Sequence, residues 1–348
     1  MKPLVTIQRV FQEPAEISVS TACRDYTELR AATDGLRQLE DEKRASFGYE
    51  PVEKAPGIAL DSRYGGGSRK KLHQAMTSDA RWRDLYMAAV RASDGEPAEP
   101  YESLAGTIYL PDWNELTAVV RSMCFEGNKV TGEFGTAHSY STQLKRRGKM
   151  QDGLEPVSIY GNVMTCMKNT ILGIRSGMSY AGGYMTTPAG SLKVYDNNGS
   201  PDADLLRGIS DELVEELGLA PSGDVRIEGL TGVFKDPTLR GFVFSVPTNL
   251  FMSDIDSGGI EDIWLKSVDR KEHETLLCVA PIVLPQYINK YADRRPEIAP
   301  NVDPERPLLP SGVAVLLAQM RRHSREDFDW TLKSLGGMFA AEEGYYVE

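Results

Sequence analysis

The chain has 348 residues, long enough for two domains and a sizeable core. Its 39 basic and 50 acidic residues give a net charge of −11, which argues against a broad nucleic-acid or membrane surface, since both favour basic footprints. No apolar run approaches the ~20 residues that span a bilayer. Cys23, Cys124, Cys166 and Cys278 are scattered without metal spacing or a disulfide framework, so a reducing cytoplasm is the expected setting.

Residues 4–10 alternate like a strand, and no signal-peptide cleavage site follows them. A helix is predicted over 26–43. Leu72, Met76, Trp82, Leu85, Tyr86 and Ala89 recur at helical spacing and predict a helix within 69–92. The preceding Gly65-Gly66-Gly67-Ser68 lacks the Gly-Lys-Ser/Thr ending of a phosphate loop and reads as a flexible basic loop. Residues 107–111 and 130–134 look strand-like. His138 has no partner in the sequence around it, so a surface position is expected. A basic cluster from Lys145 to Lys149 precedes a turn-rich linker at 151–156. These signals predict an N-terminal α/β domain over 1–150. It carries no motif of its own; its size leaves a pocket cap or a homodimer interface open.

Beyond the linker, strands at 158–166 and 170–175 predict a hairpin around Met167-Lys168-Asn169, with Arg175 closing the second strand. A glycine-rich turn runs from Gly182 to Gly190. Residues 194–204 are polar and rich in Asn, Gly, Pro and Asp, and predict a loop. The run Asp211-Glu-Leu-Val-Glu-Glu-Leu-Gly-Leu219 then predicts a helix with Leu213 and Leu217 as its apolar stripe and Gly218 as its stop. Glu212, Glu215 and Glu216 fall within an arc of roughly 100° on that helix. Carboxylates this close repel unless something positive lies among them, and Mg²⁺ or Mn²⁺ is the usual filling because hard cations prefer oxygen. The same spacing is also common on solvated helix faces. Residues 232–237 and 241–246 are β-rich; Phe234 there and Tyr184 upstream are candidates to stack on a base, although aromatics in β-rich segments more often pack in a core. Prolines interrupt 281–310. Ser311 is a plausible cap for a helix over 313–322, and a second helix is predicted over 327–335. A second domain is therefore expected over 151–300, with a C-terminal helical segment, 301–348, packing on it.

The order strand, glycine turn, acidic helix and strand pair over about 157–290 resembles the Nudix hydrolase family. That family's signature is Gly, five residues, Glu, seven residues, then Arg-Glu-apolar-x-Glu-Glu-x-Gly-apolar. Glu212, Glu215, Glu216, Gly218 and Leu219 match its second half, and Pro188 and Gly190 match the turn before it. Asp211 stands where the family has arginine, and 22 positions separate Gly190 from Glu212, about seven more than the family's spacing. The family's isolated glutamate has no clear counterpart: counting back from the helix reaches Ala203, between Asp202 and Asp204, and counting forward from Gly190 reaches Asp196. Arg207, on the same helix face, can pair with Asp211 or Glu215.

The resemblance implies a Nudix-type α/β/α sandwich with a mixed sheet. It implies Mg²⁺ or Mn²⁺ held by Glu212, Glu215, Glu216 and Gly190, with Glu216 and Glu212 as catalytic residues. Glu261, Glu272 and Glu274 are further candidates for the general base, and Arg175, with Lys235 and Arg240 as weaker candidates, for a substrate phosphate. The implied activity is hydrolysis of a pyrophosphate bond in a small nucleoside diphosphate linked to another moiety. The departures keep a second reading open, a Nudix-like domain that binds a nucleotide or a protein partner without hydrolysis.

Overall fold

The computed structural model describes residues 3–54, 57–100, 103, 115–151, 155–176, 183–220, 225–236, 241–250, 257–267, 272–292 and 307–341. The chain opens with β1 (Val5–Thr21), followed by α1 (Tyr26–Ser46), α2 (Gly57–Tyr64), α3 (Ser68–Thr77) and α4 (Ala80–Ala92). The strands β2 (Leu116–Glu126) and β3 (Lys129–His138) lead through α5 (Ser139–Arg146) to β4 (Glu155–Met164) and β5 (Thr170–Arg175). Four short strands, β6 (Met185–Thr186), β7 (Ala189–Ser191), β8 (Tyr195–Asn197) and β9 (Ser200–Asp202), precede α6 (Leu205–Leu217). Then come β10 (Val225–Ile227), β11 (Leu230–Asp236), β12 (Gly241–Leu250), α7 (Ser257–Trp264) and β13 (His273–Val279). The described chain closes with α8 (Leu284–Tyr291), α9 (Pro310–His323), α10 (Arg325–Ser334) and β14 (Phe339–Ala341).

The main sheet runs β10-β12-β11-β1-β3-β2-β4-β5-β13, and β12 also pairs with β4, so six strands close into a circuit, β12-β11-β1-β3-β2-β4. The β1–β3 and β4–β12 pairs are parallel, whereas β1–β11, β2–β3 and β11–β12 are antiparallel, so the sheet is mixed. Neighbouring strand residues point to opposite faces, and here they enter different cores. Val233, Phe244 and Ile159 join the core with α1, α3, α4 and α6; Phe234, Val243 and Tyr160 join the core with α8, α9 and α10. A helical layer therefore lies on each face of an α/β fold, as the sequence predicts. Helix α9 is buried from Pro310 to Arg321. Its Ser311 accepts a hydrogen bond from the Tyr160 hydroxyl at 2.9 Å, and its Gln319 contacts Asn162 and Thr170.

Several elements differ from their sequence expectations for local reasons. The helix predicted within 69–92 is two helices, because Asp79 caps the second by accepting from the Arg81 N–H. Strand β1 continues past residue 10 to Thr21, crossing Pro14 at a register shift between Val10 and Ala15. The polar stretch 194–204 contains the β8–β9 hairpin, turned by Asn198 and Gly199 at φ 54° and 84°. Helix α9 starts at Pro310 after Leu309, so Ser311 lies inside it and is not its cap. The expected strand at 107–111 lies outside the described residues, as does Arg240. All four cysteines are free, and no helix among the described residues is long and apolar enough to cross a membrane.

His138 is fully buried, which corrects the expected surface position. Its Nδ1 accepts from the Tyr140 N–H at 3.1 Å and caps α5, while its ring stacks on Tyr140. Burial pushes its pKa down to about 3, with Arg37 adding to the effect, so the folded protein holds it neutral. The unfolded chain takes up that proton near pH 6.5, so this group's contribution to stability falls as pH drops from about 6.5 toward 3. Urea denaturation should show about 2 kcal/mol more stability lost between pH 7 and pH 5 in the native chain than in His138→Gln. Equal acid slopes in the two proteins would contradict a buried neutral His138.

Candidate active site

Helix α6 is set by its ends and its apolar stripe. Asp204 caps it by accepting from the Leu206 and Arg207 N–H groups, both at 3.0 Å. Gly218 stops it in the left-handed conformation at φ 70°, where the Leu219 N–H returns to the Leu213 carbonyl. Leu205, Ile209, Leu213 and Leu217 anchor it in the core. The acidic run sits on this rigid element, and its members are treated differently. Glu212 and Glu216, one turn apart, are buried, whereas the Glu215 side chain is 40% exposed.

The buried pair closes on β7. A Cβ at Gly190 would lie 2.1 Å from Glu212 Oε1 and 2.2 Å from its Cδ, so the carboxylate occupies space that only glycine leaves. One residue earlier, the Ala189 N–H donates to Glu216 Oε2 at 3.3 Å. The same oxygen lies 3.1 Å from His273 Nε2 at the start of β13. His273 is buried opposite Arg175 in the β5–β13 pairing, and its Nδ1 has no hydrogen-bond partner among the described residues. Arg175 in turn holds Glu272 at 3.2 Å, and Glu272 also hydrogen-bonds to Glu216.

Burial is the largest influence on this group. It raises the Glu212 and Glu216 carboxyls well above the ordinary carboxylate range. Lys193 opposes the rise at Glu212, while Glu216 and Glu215 add to it. Glu272 adds to it at Glu216, opposed by Arg175 and by the Ala189 N–H. Burial, helped by Arg175, pushes His273 down to about 4, which leaves a neutral imidazole beside Glu216 at neutral pH.

The outer carboxylate has a different partner. Lys193 Nζ lies 2.9 and 3.0 Å from the two oxygens of Glu215 and 3.9 Å from Glu212 Oε1. Asp211, at the position where the signature has arginine, accepts from the Tyr195 hydroxyl at 2.6 Å. Arg207 lies 3.7 Å over the Tyr195 ring, so its contact is aromatic and Glu215 is left to Lys193.

Of the other sequence candidates, Asp196 is tied to α1, at 2.5 Å from Arg30 and 3.3 Å from the Tyr26 hydroxyl. Asp204 is the helix cap, and Ala203 is buried in the core. Glu274 is exposed, and the side chain of Glu261 lies outside the described residues. Lys235 pairs with Glu155 at 2.6 Å, while Tyr184 and Phe234 are fully buried core residues. The structure thus brings Glu212, Glu216, Gly190, Glu272 and Arg175 together, with Glu215 turned toward Lys193. His273 and Lys193 escaped the sequence reading. Their one local signal was position, His273 directly after Glu272 and Lys193 three residues after Gly190.

Among the described residues no group of three or more His, Cys, Asp or Glu side chains is arranged to hold a metal ion. The donor chemistry of Glu212 and Glu216 nonetheless fits a hard divalent cation: two buried carboxylates beside a glycine cradle, each raised by burial and like charge. No protein-family profile and no curated protein matches this chain. Among solved structures it is similar to the MutT protein from Methanosarcina mazei Go1, at 20% identity and a TM-score of 0.25, over 39% of this chain and 80% of that one.

A buried acidic cluster is stabilised by protons. The raised carboxyls of Glu212 and Glu216 favour the folded state at low pH, and that contribution is lost as pH rises through their folded pKa values. Glu216→Gln keeps the side-chain shape and removes the charge. In chelator-containing buffer it should raise the melting temperature by a few degrees at pH 8, and by less at pH 5. A lower melting temperature at pH 8 would show that the Glu216 charge is not a destabilising one.

Proposed function

We propose that this chain is a Nudix-type pyrophosphohydrolase that uses Mg²⁺ or Mn²⁺ to cleave a small nucleoside diphosphate linked to another moiety. The observation that carries the reading is the buried Glu212–Glu216 pair closed against the Gly190 strand. Buried carboxylates are costly unless compensated, and clusters of raised carboxyls are characteristic of working sites. Glu212, Glu216 and the Gly190 backbone would hold the ion. When bound, a divalent cation neutralises diphosphate charge and makes a water more acidic.

The chain's own residues supply the rest. The Ala189 N–H and His273 fix the orientation of Glu216. Glu272 adjoins Glu216 and is partnered by Arg175, which suits it to accept a proton from an attacking water. Arg175, 13% exposed at the end of β5, is the residue to meet a substrate phosphate, and doing so draws it from Glu272.

A second reading, nucleotide binding without hydrolysis, is favoured by two observations: Lys193 neutralises Glu215, and Asp211 takes the arginine's place. A panel of nucleoside diphosphate derivatives assayed with Mg²⁺ and Mn²⁺ separates the two. Metal-dependent product that falls at least about a hundredfold in both Glu212→Gln and Glu216→Gln supports hydrolysis. Absence of turnover across the panel, with a derivative still raising the melting temperature, would replace it by the binding reading.

A further inference from the structure

The geometry points to Gly173 and His273 as one positioning unit, in which the glycine leaves the room that locks the imidazole as its Nε2–H tautomer and so turns a donor onto Glu216. The inference deepens the proposed function and rests on the metal-holding role given there to Glu216.

The pairing of β5 with β13 sets the unit up. From Thr275 to Val279 the register is regular, and continued unbroken it would bring Glu274 opposite Arg175. A register shift between His273 and Thr275 gives that place to His273 instead. Gly173 lies two residues before Arg175 on the same face of β5, where a ring from the opposite strand can reach it diagonally. A Cβ at Gly173 would lie 2.5 Å from His273 Cε1 and 2.7 Å from Cγ, and closer still to Nδ1. The buried imidazole therefore rests on bare backbone, in space that only a glycine leaves open.

The two ring nitrogens have unlike surroundings. Nδ1 lies against Gly173 and has no hydrogen-bond partner among the described residues. Nε2 lies 3.1 Å from Glu216 Oε2, which also accepts from the Ala189 N–H at 3.3 Å. A proton on Nδ1 would be a buried donor with no acceptor, whereas a proton on Nε2 meets an oxygen. The ring is thus the Nε2–H tautomer, and its hydrogen bond runs from His273 to Glu216. Two donors on one oxygen fix the rotation of the carboxyl group. Such partners hold a metal-binding carboxylate in place, and their loss weakens ion binding about ten- to a hundredfold. Gly173 and His273 act in this way through Glu216, without touching the ion.

The tautomer is read from the native full chain labelled with ¹⁵N-histidine, by long-range proton–nitrogen correlation at neutral pH, with His273→Gln identifying the signal. An Nε2–H pattern is expected, and an Nδ1–H pattern or an imidazolium would overturn the inference. The positioning role is read from Mn²⁺ titrations followed by the paramagnetic resonance of free Mn²⁺. Glutamine carries its side-chain nitrogen as far from the backbone as Nε2, whereas asparagine ends level with Nδ1. His273→Gln should therefore keep the native affinity, while His273→Asn and Gly173→Ala should each weaken it at least about tenfold. Equal affinities in the two His273 variants would overturn the positioning role and leave the proposed function untouched. A native chain that binds no Mn²⁺ would overturn the metal-dependent function, and the tautomer then decides the inference by itself. Should His273→Asn or Gly173→Ala fail to fold, the tautomer measurement on the native chain still decides it.

Discussion

Keeping the carboxylates of Glu212 and Glu216 out of water is the constraint around which this region of the protein is arranged. An ionised carboxylate in a low-dielectric interior is stabilised only by charges, protons or donors placed beside it. The strands beside β4 supply those neighbours from separate parts of the chain. β7 brings the Ala189 N–H and the space at Gly190, the β5–β13 pair brings Arg175, Glu272 and His273, and the segment after β7 brings Lys193. None of these groups lies on α6 itself. The helix presents the charge, and the sheet decides where that charge is tolerated.

The sheet also joins the two halves of the chain. The first part of β1 pairs with β11, and its second part pairs with β3, so one strand serves both segments. Glu115 and Arg30 extend this coupling to the candidate site and its flanking hairpin, the first through Lys193 and the second through Asp196. The residues before 150 thereby contribute electrostatics to the site as well as strands to the fold.

What could be read from the sequence follows the range of the interactions involved. The acidic helix, its leucine stripe and its glycine stop depend on neighbours within one or two turns, and all were legible. The layered α/β architecture was legible because strand and helix periods alternate along the chain. Lys193 and His273 were not, because their meaning arises from pairings with Thr117 and Arg175, each far away in the sequence. His138 was misread for a related reason: a single polar residue has no periodicity to show which way it faces. The Asn198-Gly199 turn was a local signal masked by the polarity of its surroundings. At Pro14 the reverse held, since a shift in pairing register let the strand absorb a residue that normally ends one.

The long first strand has a consequence for the making of the protein. Val10 pairs with Gly232, and Val5 pairs with Phe339 near the other end of the described chain. During synthesis at about 5–20 residues per second, residues 5–10 emerge roughly 10–45 s before β11 exists to receive them. Their apolar side chains, Val5, Ile7 and Val10, end fully buried, so they spend that interval without the core that later shields them. Strand β14 cannot dock beside them until the last described residues have been made. The sheet is therefore completed only once residues 339–341 have been made, a topology of high contact order whose nascent first strand must be kept from pairing elsewhere until then.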